Sequence, residues 1–185
     1  MHSSFVRHPW INTAAPVVSA LIVSVSAASC NQVSTAAKPT DTFQATATTT
    51  YTWQVEYVPR GVSQDRPNDR RLEQFESTTV VNRNGVRPDA AGSGPDNKGL
   101  WWPVLPAEPT VDDIEDRRLN GETARNPEII KSSDYAITFN QAGEEKTLPA
   151  NYEVYRQAVK AAEKERSLLL TLGPQDESVI QAEVQ

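Results

Sequence analysis

Histidine and cysteine are nearly missing from this chain of 185 residues: it has two histidines, His2 and His8, and one cysteine, Cys30. Beyond Cys30 there is no imidazole and no thiol. That excludes Ser-His-Asp and Cys-His nucleophilic chemistry from the rest of the chain and removes the usual zinc ligands. A single cysteine also excludes internal disulfides, so stability must come from a packed core. The G-x-S-x-G nucleophile elbow, the P-loop and the dinucleotide G-x-G-x-x-G are all lacking. Positive charge is in short supply as well. With 18 Lys and Arg against 24 Asp and Glu, the net charge is −6 and the pI about 5.0. Nucleic acid, whose phosphates demand basic surfaces, is therefore not an expected partner.

Long hydrophobic runs are scarce too. The longest, Ala14 to Ala28, is interrupted by Ser19, Ser24 and Ser26, and a membrane-spanning helix needs about 20 apolar residues. The run suits the h-region of a secretory signal better, with Arg7 supplying the positive flank. Ala27-Ala28-Ser29-Cys30 follows. This tetrapeptide resembles the lipobox of bacterial lipoproteins, although those boxes usually begin with Leu where this chain has Ala27. The resemblance covers about the first 30 residues and implies that Cys30 is acylated and becomes the first residue of the mature chain. It further implies lipid anchoring on the periplasmic side of the cell membrane or the outer membrane. Ordinary cleavage after Ala28 also satisfies a small-x-small rule through Ser26 and Ala28. A lone cysteine directly after the signal favours the lipoprotein reading.

Residues 30–50 continue as CNQVSTAAKPTDTFQATATTT, almost entirely small and polar. That composition predicts a disordered tether, unable to bury enough apolar surface to order itself. The folded part is expected over 51–173, with a flexible acidic tail at 174–185 in which Val179, Ile180 and Val184 offer an alternative edge strand. Tyr51, Trp53, Val55 and Tyr57 alternate with polar residues, the pattern of a half-buried strand. Ser77 to Arg83, with the β-branched cluster Thr78 to Val81, gives a second strand and Asn84-Gly85 a turn. Tyr135, Ile137 and Phe139 begin a hairpin that returns over 144–148. Thr110 caps a helix over about 110–120, with Asp113 three residues on. Asn151 caps another over 151–166, whose stripe is Tyr152, Tyr155, Val159 and Ala162, with Lys160 and Glu163 on the far face. Ser167 to Leu172 reads as a strand. The expected fold is α+β: a small antiparallel sheet with two helices packed on one face.

Candidate functional residues are few. Trp101 and Trp102 stand side by side in a strap whose prolines, Pro103, Pro106 and Pro109, favour polyproline II. They either cover the core or form a binding platform for a sugar ring. Asp112, Asp113 and Asp116 lie along a helix, which presents too few oxygens at once for calcium. No metal, cofactor or catalytic residue is expected. The function expected is non-enzymatic: a membrane-anchored interaction or assembly module with an envelope protein as partner. The alternative is a cell-wall glycan binder or carboxylate-dependent hydrolase using Trp101 and Trp102.

Overall fold

A computed structural model of the chain describes residues 39–61 and 70–185. Cys30, the signal at 1–29 and the first part of the expected tether lie outside the described residues. The described chain runs through β1 (Pro39–Thr40), β2 (Phe43–Pro59), β3 (Arg71–Arg83), β4 (Ala91–Ser93) and β5 (Trp102–Pro103) to α1 (Val111–Asp116). Then come β6 (Glu122–Ala124), β7 (Glu128–Gln141), β8 (Glu144–Ala150), α2 (Tyr152–Glu163), β9 (Leu168–Leu172) and β10 (Val179–Val184).

One sheet of eight strands dominates. Its order is β1-β9-β10-β8-β7-β2-β3, with β6 added along β2, while β4 and β5 pair by themselves. Neighbours are antiparallel except β10 and β8, which meet in parallel at Val179 and Ala150. The expectation of an α+β domain with a small antiparallel sheet is thus wrong. The protein is mostly β, its sheet is large and mixed, and α1 and α2 span only 6 and 12 residues. Only α2 is a packed layer, set against β10, β2 and β7. The side chains of α1 are exposed or half-buried, and α1 stops at Asp116 with Arg117 as its C-cap.

The largest error lies in the tether. Residues 43–50 form the first half of β2, paired with β7 from Phe43–Phe139 to Gln54–Glu128 and with β3 from Thr46–Arg83 onward. The reason is an alternation hidden under low complexity. Ala45, Ala47, Thr49 and Tyr51 are buried, while Thr46, Thr48 and Thr50 are half-exposed on the other face. Threonine is β-branched and suits a pleated, half-buried surface. Ala45 and Ala47 join Ala158 and Ala161 of α2 in one core cluster, and small side chains on both sides let helix and sheet approach closely. The opposite face carries hydroxyl ladders: Thr50 Oγ1 to Thr79 Oγ1 at 3.0 Å, Ser77 to Thr52 at 2.9 Å and Thr138 to Thr147 at 2.8 Å.

β3 also begins six residues earlier than 77, and it carries a bulge: Phe75 and Glu76 together oppose Trp53. At that end of the sheet, Arg71 lies 4.4 Å over the Tyr57 ring and donates through Nη2 to Glu122 Oε2 at 2.8 Å. The expected flexible tail is a further correction. Val179 to Val184 forms β10, inserted between β9 and β8, with Val179 and Ala182 buried. The strand at 168–172, the 134–148 hairpin and the Asn151 cap occur as the sequence predicts, the cap through Val154 N–H donating to Asn151 Oδ1 at 2.9 Å.

Candidate functional site

The tryptophan strap crosses the face of the sheet that α2 also covers. Beyond its short pairing with β4 it is fixed by buried polar groups, because its prolines have no N–H to donate to a ladder. Asn82 on β3 is 0% exposed and clamps the Trp101 backbone in both directions. Trp101 N–H donates to Asn82 Oδ1 at 2.8 Å, and Asn82 Nδ2 donates to Trp101 O at 3.0 Å and to Ala47 O at 3.1 Å. Thr49 Oγ1 adds a bond to Trp101 O at 2.7 Å. Asp96 holds the preceding turn, accepting from Lys98 N–H at 2.8 Å, Leu100 N–H at 2.9 Å and Trp102 Nε1 at 2.9 Å. Burial alone would raise the Asp96 pKa. The hydrogen bonds from Leu100, Trp102 and Lys98, with the Lys98 charge, outweigh it and hold the carboxyl below its ordinary value.

The two tryptophans consequently separate. Trp102 is 8% exposed and stacks on Tyr51, centroids 5.1 Å apart. It belongs to the core and cannot form a platform with its neighbour. Trp101 is half-buried and forms one wall of a cleft between the strap and α2. The cleft encloses about 320 Å³. Val159 and Pro95 give it apolar lining, and Lys98, Arg156 and Lys160 bring positive charge against a single acid, Glu163. The Arg87 guanidinium lies 5.2 Å from the Trp101 ring.

Tyr155 of α2 borders this cleft. It is 2% exposed, and among the described residues its hydroxyl makes no hydrogen bond. The Gly85 amide nearby favours the phenolate somewhat without reaching bonding geometry. Burial, reinforced by Tyr135 and Tyr152, pushes the Tyr155 pKa up to about 12, so the group is a neutral donor at physiological pH. An unpartnered buried hydroxyl costs free energy, recovered by any group that comes to hydrogen-bond it. Tyr152 ties the two walls together: Arg156 Nη1 donates to its hydroxyl at 3.0 Å, that hydroxyl donates to Lys98 O at 3.3 Å, and Lys98 Nζ lies 5.4 Å from its ring centre.

Gly85 makes the close approach possible. Its φ is +73°, and a Cβ there would meet Val159 Cγ1 at 2.8 Å. The sequence-expected turn at Asn84-Gly85 thus also seats α2, with Asn84 Oδ1 accepting from Ala45 N–H at 2.7 Å.

Of the candidate functional residues named from sequence, Trp101 alone lines the cleft. Cys30 lies outside the described residues. Asp113 is consumed by the cap of α1, accepting from Thr110 N–H at 2.8 Å and Thr110 Oγ1 at 2.6 Å while its own N–H donates to Thr110 Oγ1 at 3.2 Å. Among the described residues, no group of three or more His, Cys, Asp and Glu is arranged to hold a metal ion. Sequence reasoning missed Tyr155, Arg156, Lys98 and Lys160. Tyr155 reads as one more core position of an amphipathic helix, and Lys160 as its solvated far side. The clue was Arg156, a cation beside the aromatic stripe. No protein-family model, no curated protein and no solved structure matches the chain.

Proposed function

We propose that this protein is an envelope lipoprotein, anchored through acylated Cys30, whose β-sheet domain is a non-enzymatic binding module acting through the cleft between α2 and the strap. The observation that carries the binding reading is the cleft itself, about 320 Å³ lined by Trp101, Lys98, Arg156 and Lys160, with the buried, unpartnered Tyr155 at its border. Cavities of a few hundred Å³ with apolar walls and a few convergent polar groups are the common form of ligand site. The anchor rests on the resemblance of Ala27-Ala28-Ser29-Cys30 to a lipobox, with a membrane partner as the natural occupant.

Two experiments test the two halves. Globomycin, which blocks lipoprotein signal peptidase, should make the precursor accumulate, and Cys30→Ser should abolish acylation. A Cys30→Ser chain of unchanged mass and detergent partitioning would remove the anchor from the proposal. For the cleft, the double charge reversal Arg156→Glu/Lys160→Glu changes two exposed side chains and should leave the melting temperature within a few degrees. Material co-purifying with the wild-type protein from solubilised membranes should be lost from this variant. Full retention would place the binding surface elsewhere.

A further inference from the structure

We propose that the cleft selects a ligand carrying one oxyanion, a carboxylate or a phosphate, on a single ring-sized apolar body. This deepens the binding reading above and rests on it. The groups that can meet a ligand's polar atoms here are mostly donors. Lys98, Arg156 and Lys160 offer only N–H groups. The Tyr155 hydroxyl beside them is buried, neutral and without a partner among the described residues, so a ligand group that reaches it meets one more donor. A set of donors around one space calls for an acceptor-rich group, and charge-assisted bonds to such a group are about twice as strong as neutral ones.

Charge points the same way. The whole chain is acidic, at −6, yet the cleft gathers three cations against Glu163, and Arg87 stands behind its Trp101 wall. A local reversal of sign focuses anions from solution. Arg156 is also pre-positioned by its bond to the Tyr152 hydroxyl, which reduces the entropy lost when it closes on a ligand. Size limits the remainder. About 320 Å³ lies at the small end of ligand cavities, and Trp101, Pro95 and Val159 supply apolar contact for a ring rather than for a long chain.

Titration calorimetry on the full chain in detergent, with four probes, tests this. Phenyl phosphate and benzoate carry both the anion and the ring, inorganic phosphate only the anion, and benzyl alcohol only the ring. Phenyl phosphate or benzoate should bind at least tenfold more tightly than either partial probe, and the better of the two identifies phosphate or carboxylate. Tyr155→Phe should weaken that binding by roughly tenfold, the effect of one charge-assisted hydrogen bond. It should leave the melting temperature unchanged or raised, because the lost hydroxyl had no partner. Arg156→Gln should weaken binding by a similar factor and flatten its salt dependence.

Benzyl alcohol binding as well as the anions would overturn the oxyanion assignment. So would anion binding that Tyr155→Phe leaves untouched, or failure of both ring-bearing anions to bind at millimolar concentration. If the charge-reversed variant loses its partner while the anions do not bind, the module reading survives and the ligand class fails. If the anions bind but partner retention is unaffected, the class stands and the partner does not use the cleft.

Discussion

Two residues, Asn82 and Gly85, decide whether the strap and α2 can meet at all. Asn82 is fully buried and satisfies Trp101 N–H, Trp101 O and Ala47 O. Asn82→Leu keeps the volume but leaves Trp101 N–H and Ala47 O without this partner in a dry site. At about 1–3 kcal/mol for each group left bare, the cost should be about 3 kcal/mol. Chemical unfolding measures it, and the Trp101 amide should lose its protection against hydrogen exchange in the same variant. Gly85→Ala fails for a different reason. It forces a side chain into positive φ and against Val159 Cγ1 at 2.8 Å, so it should cost about 2–3 kcal/mol through strain and overpacking. A loss under half a kcal/mol would show that α2 shifts freely away from the turn. Asn84-Gly85 was legible because few other residue pairs tolerate that backbone. Asn82 was not, since an asparagine in a strand has no sequence mark that separates a buried clamp from a solvated edge.

At the scale of elements, the strap asks what two adjacent tryptophans do. Trp102→Ala removes a buried ring stacked on Tyr51 and should destabilise by about 3–5 kcal/mol. Trp101→Ala should cost markedly less, since its ring is half-buried, and should instead impair binding of the ring-bearing anion in the cleft. Equal destabilisation by both changes would mean that the cleft wall is part of the core. Asp96 gives the strap a dependence on pH. Its folded-state pKa is depressed, so its contribution is complete above the unfolded value of about 3.9 and is lost as pH falls through the lower, folded value. Acid should therefore loosen the strap before the sheet, seen as earlier exchange of the Leu100 amide and the Trp102 indole. Asp96→Asn should flatten that response. A strap equally labile at neutral and acid pH would remove Asp96 from this role. The Pro-rich sequence showed that a strap exists, and Trp102 fell within its core-covering reading. The sequence could not show which indole would be buried, because that choice is made by Asn82 on a separate strand and by the turn that Asp96 folds just before the strap.

At the scale of the whole molecule, the sequence showed the middle and lost both ends. Periodicity of large apolar residues found 51–58, 134–148 and 168–172, where burial is carried by Tyr, Ile, Phe and Leu. It failed at 43–50, where alanine and threonine carry the burial with little hydrophobic contrast, and at 179–184 it offered at most an edge strand, where β10 lies inside the sheet between β9 and β8. Of the two missed segments, 43–50 pairs with the distant strands β3 and β7, while 179–184 pairs mainly with its sequence neighbour β9, and both are integral to the sheet. β10 makes this testable, because β9 and β1 join the sheet through it. Ending the chain after Gly173 would remove a segment that composition marks as a dispensable tail. It would also uncover Val179's place in the core and flanking parts of Leu168, Leu170 and Leu172, all buried now. At about 2 kcal/mol for each large apolar side chain exposed, half of that area already amounts to roughly 4–5 kcal/mol before ladder hydrogen bonds are counted. For a chain of this size that lowers the melting temperature by about 15 °C. A control fixes the interpretation: Gln181→Ala and Glu183→Ala change exposed side chains of the same strand and should shift it by about 2 °C or less. If the shortened chain melts within a few degrees of the full one, β10 is an ornament on the sheet, and the eight-stranded architecture is not what holds the cleft together.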